Sequence, residues 1–119
     1  MELKPRVVLI VEDDAAVSRA LSRAVRSLGF SVYTFDSGEA LLASEVPQSP
    51  AVMLLDLHLP GIGGADLISK LVARTPDLRI AVMTGRDIGG AREACLNAGA
   101  TTYIAKPISR TVLAALLDV

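Results

Sequence analysis

The sequence has no tryptophan, one histidine and one cysteine, and it contains no apolar run near the about 20 residues that span a bilayer. The single cysteine, Cys95, cannot form an intramolecular disulfide, and its apolar spacing with Ala91 and Ala94 indicates a packed small residue. The first apolar run, residues 7–11, is too short for a secretory signal. We therefore predict a cytoplasmic protein that does not bind membranes.

Neither sign of charge dominates the composition. Twelve lysines and arginines stand against 13 acidic residues, so the formal net charge is −1. Such a chain has no overall basic field, and we expect no direct binding of nucleic acid. Its 119 residues, of which 51% are hydrophobic, suit one compact domain over residues 1–119 that needs neither a structural metal nor disulfides.

Five short apolar runs rich in β-branched residues predict strands, and each is followed by helical spacing or a helix-start signal. The predicted strands are residues 7–11, 32–35, 52–55, 80–83 and 101–104. The third run has no polar alternation, which is typical of a central parallel strand covered on both faces. Five alternating units most often form a flavodoxin-like parallel sheet of order 2-1-3-4-5. We therefore predict a single, doubly wound (βα)5 domain of the α/β class.

The predicted helices differ in how clearly their ends are marked. The first is the clearest, with Ser22 among the polar residues off its apolar face and Gly29 ending it; that face carries Val17, Ala20, Leu21, Ala24, Val25 and Leu28. Ser37 is expected to cap the second helix, and Gly63 precedes the third. Residues 47–50 are predicted to form a loop before the third strand.

The last two helices are less regular. The fourth is expected to begin near Ile88, with two glycines weakening its start. The fifth follows Ser109 and is expected to run to Val119 without a glycine cap, which suggests either a domain cut from a longer protein or a protein of a single domain, with the first favoured.

Polar residues follow four of the predicted strands: Glu12 and Asp13, Asp56, Thr84, and Lys106. The carboxyl ends of parallel strands lie at one edge, and the three acids should meet where strands 1 and 3 diverge. Two unit charges about 4 Å apart repel by about 4 kcal/mol at an effective dielectric of about 20. Hard carboxylate oxygens favour Mg²⁺, or Mn²⁺ in its place, and Lys106 can supply further positive charge.

The ordered set of motifs at these strand ends resembles the receiver domains of two-component response regulators, the CheY-like superfamily, with a FixJ-like receiver as one candidate. The matching pieces are Val11-Glu12-Asp13-Asp14, Leu54-Leu55-Asp56, Leu59-Pro60-Gly61 with Gly64, Met83-Thr84-Gly85, and Asn97-Ala98-Gly99-Ala100 with Tyr103-Ile104-Ala105-Lys106-Pro107. Together they span nearly the whole chain in the order found in that family.

By this resemblance, Asp56 is the nucleophile that accepts a phosphoryl group from a sensor histidine kinase, a phosphotransfer protein or a small donor such as acetyl phosphate. The resemblance implies that Asp13, Asp56 and the backbone carbonyl of His58 bind Mg²⁺ directly, with Glu12 acting through water. Lys106 is expected to pair with a phosphoryl oxygen. The domain is then a signalling module that catalyses only its own phosphorylation and dephosphorylation.

The resemblance also implies a switch. Thr84 donates a hydrogen bond to the phosphoryl group, and Tyr103 moves inward and reshapes the face formed by helix 4, strand 5 and helix 5. Through this face the domain would control an output domain or a partner, with transcription regulation as one outcome, or form a homodimer. The imidazole of His58 and the side chain of Arg86 are candidate modulators of phosphoryl lifetime.

Other functions fit less of the sequence. A phospho-independent pseudo-receiver that only binds proteins has no need for the full acidic, threonine and lysine set. A phosphatase of the haloacid dehalogenase type needs a second acid two residues after the nucleophile, where this chain has His58. Nucleotide-binding motifs with glycine-rich loops are absent. Taken alone, Glu12, Asp13 and Asp14 could also be a solvated helix start, where acids favour the helix dipole.

Overall fold

Strands and helices alternate along the whole described chain. The computed structural model describes residues 6–45, 51–86 and 88–119. The strands are β1 (Val7–Val11), β2 (Ser31–Phe35), β3 (Ala51–Asp56), β4 (Arg79–Thr84) and β5 (Thr102–Ala105). The helices are α1 (Ala15–Ser27), α2 (Gly38–Leu42), α3 (Gly64–Arg74), α4 (Ala91–Ala98) and α5 (Arg110–Leu116).

The five strands form one parallel sheet in the order β2-β1-β3-β4-β5, which confirms the predicted topology. Two apolar layers cover it. One contains Leu41 of α2, Leu71 of α3 and Cys95 of α4, and the other contains Val25 of α1 and Leu113 of α5. Every residue of β3 is buried, as expected of a central strand with helices on both faces. Cys95 is a packed core residue, as predicted.

The helix-start and helix-stop signals act as expected in the first half of the chain. Ser37 Oγ accepts a hydrogen bond from the Ala40 N–H at 3.0 Å and so caps α2. Gly29 has a φ of 98°, a left-handed conformation that glycine adopts without the steric cost of a Cβ atom, and it follows the end of α1.

Three expectations about the helices were wrong in detail. Helix α4 begins at Ala91 and not near Ile88, because Gly90 precedes it with a φ of 83°, which is not a helical conformation. Helix α5 ends at Leu116 and does not reach Val119, since Asp118 has a φ of 59°. Ser22, expected off the apolar face of α1, is only 6% exposed. It precedes buried Val25 by three residues and therefore lies on an adjoining part of the helix surface.

The predicted loop at residues 47–50 lies outside the described residues. Within the described ranges, no helix is both long and apolar enough to cross a membrane.

Candidate functional site

The sheet brings the predicted polar residues to one edge. Asp56 and Thr84 are the last residues of β3 and β4, whereas Glu12 and Lys106 directly follow β1 and β5. Because β1, β3, β4 and β5 are consecutive parallel neighbours, their carboxyl ends form a continuous row. The Lys106 N–H donates to the Thr84 carbonyl at 2.7 Å, which continues the pairing of β4 and β5 into the site.

Three carboxylates converge at the junction of β1 and β3. One oxygen from each of Glu12, Asp13 and Asp56 lies within 4.8 Å of the other two. Glu12 and Asp56 are buried and Asp13 is exposed, so the cluster is open to solvent on one side. Glu12 Oε2 is buried and has no hydrogen-bond partner among the described residues. This oxygen-only donor set, with an unsatisfied acceptor, fits a hard divalent cation such as Mg²⁺.

Lys106 lies against the same carboxylates. Its ammonium nitrogen is 2.7 Å from Glu12 Oε1 and 3.4 Å from Asp56 Oδ1. The structure thus brings Lys106 to two acids that the sequence placed at the same sheet edge, although nothing in the sequence distinguishes Glu12 as the closer partner. The single ammonium offsets only part of the charge of three carboxylates.

The buried charges change one another's protonation. Burial and the neighbouring Asp56 carboxylate raise the pKa of Glu12 to about 7, despite the opposing effect of Lys106. Burial also acts to raise the pKa of Asp56, but the neighbouring Glu12 carboxyl, the His58 N–H and the charge of Lys106 outweigh it and lower that pKa. Burial acts to lower the pKa of Lys106, and the two carboxylates overcome it and raise that pKa. Asp56 is thus kept ionised and Lys106 protonated.

The Thr84 hydroxyl is engaged in the loop that follows β4. It donates to the Arg86 carbonyl and accepts from the Arg86 N–H at 3.1 Å. The imidazole Nε2 of His58 lies 3.1 Å from Thr84 Oγ1 and 3.2 Å from the Arg86 carbonyl oxygen. The sequence did not predict that these three residues meet, because a lone histidine after a strand carries no signal for a contact 26 positions away.

The structure also places Tyr103 and Asp14, two further residues of the sequence motifs. The Tyr103 side chain is half-buried and packs against the core cluster on the α2, α3 and α4 side of the sheet. Asp14 takes no part in the acidic cluster: its carboxylate caps α1 by accepting from the backbone N–H groups of Ala16 and Val17. The helix-start interpretation of the acidic run therefore applies to its third residue.

Comparisons with known proteins match this architecture. The family model "Response regulator receiver domain" matches residues 8–118. The probable transcriptional regulatory protein TcrX of Mycobacterium tuberculosis is 34% identical over 106 residues, which make up 89% of this chain and 45% of TcrX. The chain therefore spans less than half the length of this relative.

Two solved structures are similar to this chain. A response regulator protein from Burkholderia pseudomallei contains a phosphorylated aspartic acid, a calcium ion and citrate. It is 27% identical to this chain, with a TM-score of 0.82, and the match covers 94% of this chain and 66% of that one. The receiver domain of sensor histidine kinase PA1611 from Pseudomonas aeruginosa PAO1 has a magnesium ion coordinated in its active site cleft. It is 29% identical with a TM-score of 0.80, over 96% of this chain and 95% of that one.

The sheet order, the acids at the junction of β1 and β3, and a family match over residues 8–118 agree with one another. The chain belongs to the response regulator receiver domain family.

Proposed function

We propose that residues 1–119 act as one cytoplasmic receiver domain in which Asp56 accepts a phosphoryl group in a reaction that requires Mg²⁺ or Mn²⁺. The observation that carries this proposal is the convergence of Glu12, Asp13 and Asp56 within 4.8 Å, with the Lys106 ammonium 3.4 Å from Asp56. A carboxylate held ionised beside a cation has the charge state that nucleophilic attack requires.

In the proposed reaction, an Asp56 oxygen attacks the phosphorus of a phosphohistidine on a sensor histidine kinase or phosphotransfer protein, or of acetyl phosphate. The new O–P bond forms as the bond to the donor breaks, and the leaving histidine nitrogen or acetate oxygen keeps the electron pair. Asp13, Asp56 and the backbone carbonyl of His58 are proposed as direct metal ligands, with Glu12 acting through water. When bound, the divalent ion neutralises negative charge on the transferring group.

Lys106 is proposed to transfer its contact from the carboxylates to a phosphoryl oxygen. Its ammonium already lies beside Asp56, so this exchange needs little movement of the lysine. Thr84 requires a larger change, because its O–H now donates to the Arg86 carbonyl and must leave that acceptor to reach a phosphoryl group. The loop after β4 would follow this hydroxyl.

The signal is proposed to leave the site through that loop. Inward movement of Tyr103 would accompany it and reshape the face of α4, β5 and α5, which would bind an output domain, a downstream protein or a second copy. Phosphate shifts the balance between two arrangements only as far as it binds one better than the other. The name of TcrX supports a role in transcription regulation for a longer protein of this kind.

Incubation with acetyl phosphate and Mg²⁺, followed by intact mass measurement, tests the proposal. We expect one phosphoryl group on the native chain, none on Asp56→Asn and none after removal of divalent ions. Asp66→Asn, which removes an exposed acid of α3, is the matched control and should be phosphorylated normally. If the native chain gains no phosphoryl group and binds no beryllofluoride, the domain acts as a phospho-independent interaction module.

The same sample tests the proposed modulators. His58 Nε2 contacts the hydroxyl that must turn towards the phosphoryl group, which supports a role for this imidazole in setting phosphoryl lifetime. Replacing His58 by Asn should therefore change the rate of dephosphorylation, and Arg86→Ala is the parallel test for the arginine side chain. Unchanged rates in both variants would remove these two residues from the mechanism.

A further inference from the structure

A cavity of about 410 Å³ lies between α1 and the edge strand β2, and it shares no lining residue with the acidic cluster. We call it the α1–β2 cleft; its lining residues are Ser18, Arg19, Ser22, Arg23, Arg26 and Thr34. Every lining side chain carries either a guanidinium or a hydroxyl group, so the walls offer hydrogen-bond donors. None of these described lining residues is acidic.

The three arginines form one stripe along α1. They lie at positions i, i+4 and i+7, which spans about 10.5 Å along a helix. Within residues 6–45, 51–86 and 88–119, no hydrogen bond or ion pair joins their side chains to another group. Arg74 and Arg110, by contrast, donate to the Leu42 carbonyl and to Ser27 Oγ. The α1 arginines are thus exposed cations with no counter-charge among the described residues.

An exposed basic stripe alone could be an ordinary solvated helix surface, and Ser22 is what distinguishes this one. The residue is 6% exposed, and its hydroxyl has no hydrogen-bond partner among the described residues. It lines the cleft between Arg19, three positions before it, and Arg26, four positions after it. Burying an unsatisfied hydroxyl is costly, and an anionic oxygen that enters between the exposed arginine side chains beside it would satisfy it.

We propose that the α1–β2 cleft binds a small molecule that carries a diphosphate group. Two linked phosphates carry about three negative charges near neutral pH, which three guanidinium groups match. Arginine is suited to this task because its planar fork can donate two hydrogen bonds to one phosphate. The cavity volume lies in the range of about 300 to 1,000 Å³ that is usual for small-molecule sites. The site does not depend on Asp56.

Titration calorimetry with inorganic pyrophosphate, in buffer freed of divalent ions, tests the proposal on the intact chain. We expect saturable binding of one molecule, weakened about tenfold or more by Arg23→Ala, which removes a charge-assisted contact. Arg92→Ala, which removes an exposed arginine of α4, should leave the affinity unchanged, and so should Asp56→Asn. Because Arg23 is exposed on a helix, alanine there should not impair folding.

Ser22→Ala provides a second readout. It should weaken pyrophosphate binding about tenfold without lowering the thermal midpoint, because the hydroxyl has no partner to lose in the free protein. Unchanged affinity in Ser22→Ala would overturn the proposed role of the cleft.

Four other results would overturn the proposal. The first is no saturation at about 1 mM pyrophosphate. The second is equal weakening of binding by Arg92→Ala, which would indicate non-specific charge attraction. The third is loss of binding in Lys106→Ala but not in Arg23→Ala, which would place the anion at the acidic cluster. The fourth is binding of polyglutamate but not of pyrophosphate, which would indicate a surface for an acidic protein.

Discussion

Asp13→Asn should increase the stability of the protein without divalent ions and remove most of the stabilisation that Mg²⁺ gives the native chain. One oxygen of Asp13 lies within 4.8 Å of one from each of Glu12 and Asp56. A pair of unit charges at 4.8 Å repels by about 0.9 kcal/mol in water and about 3.5 kcal/mol at an effective dielectric of about 20. No hydrogen bond or ion pair of the Asp13 carboxylate within the described ranges offsets this repulsion.

The expected increase in the free energy of unfolding of Asp13→Asn lies near the lower of these values. Asp13 is exposed, Glu12 is partly protonated near neutral pH and Lys106 attracts Asp13 as well, so we expect about 1 kcal/mol in metal-free buffer. For a domain of 119 residues, this corresponds to a rise of about 4 °C in the thermal midpoint. Mg²⁺ at about ten times its dissociation constant stabilises the native chain by about 1.4 kcal/mol, and the variant should lose most of this gain.

Thermal unfolding followed by circular dichroism, with a chelator or with Mg²⁺ at matched ionic strength, measures both effects in a chain that has no tryptophan. Asp14→Asn is the control: it removes one negative charge at the next position, and asparagine caps helices about as well as aspartate. A variant that is less stable than the native chain in both buffers, or that keeps the full Mg²⁺ gain, would refute the reasoning.

Three further predictions concern titration and packing. Burial raises the pKa of Glu12 from 4.5 to about 7, so the metal-free folded state holds this proton more tightly than the unfolded chain. The contribution of Glu12 to the free energy of unfolding should therefore be complete below pH 4.5 and fall as the pH rises to about 7. Urea denaturation should show that Glu12→Gln removes this fall, and an unchanged pH dependence would contradict the assignment. Gly99→Ala should lower the free energy of unfolding by about 2 kcal/mol, because φ is 122° there and a Cβ would lie 2.7 Å from Val72 Cγ2. Gly89→Ala is the control: a Cβ there has no neighbour within 4 Å, so the free energy of unfolding in urea should change by less than about 0.5 kcal/mol. Leu54→Ala removes a wholly buried side chain and should lower the free energy of unfolding by about 3 to 5 kcal/mol in the same assay. A decrease of less than about 1 kcal/mol would contradict the packing of β3.

The fold was predictable because its signals are local. Apolar runs of four or five residues, a helix cap at Ser37 and a stop at Gly29 each act within one turn or strand. The start of α4 was not predictable to the residue, since the sequence gives two glycines and only the backbone shows that Gly90 leaves the helical conformation.

The candidate site also has a part that the sequence predicts and a part that it does not. The convergence of Glu12, Asp56 and Lys106 follows from strand order, which the sequence supplied. The contact of His58 with Thr84 depends on how two loops are packed, and no pattern of residue types encodes it. Ser22 shows a further limit, because a polar residue beside an apolar stripe can be buried or exposed depending on the neighbouring strand.

The ion pair between Lys106 and Glu12 joins residues that are 94 positions apart. Its acid follows the first strand of the chain and its cation follows the last, so a folding intermediate or fragment without β5 holds the carboxylates but not the counter-charge. The counter-charge of an acid that follows the first strand is therefore in place only when the last strand has joined the sheet. Assembly of the acidic cluster and its balancing by Lys106 are thus separate steps in the order of the chain.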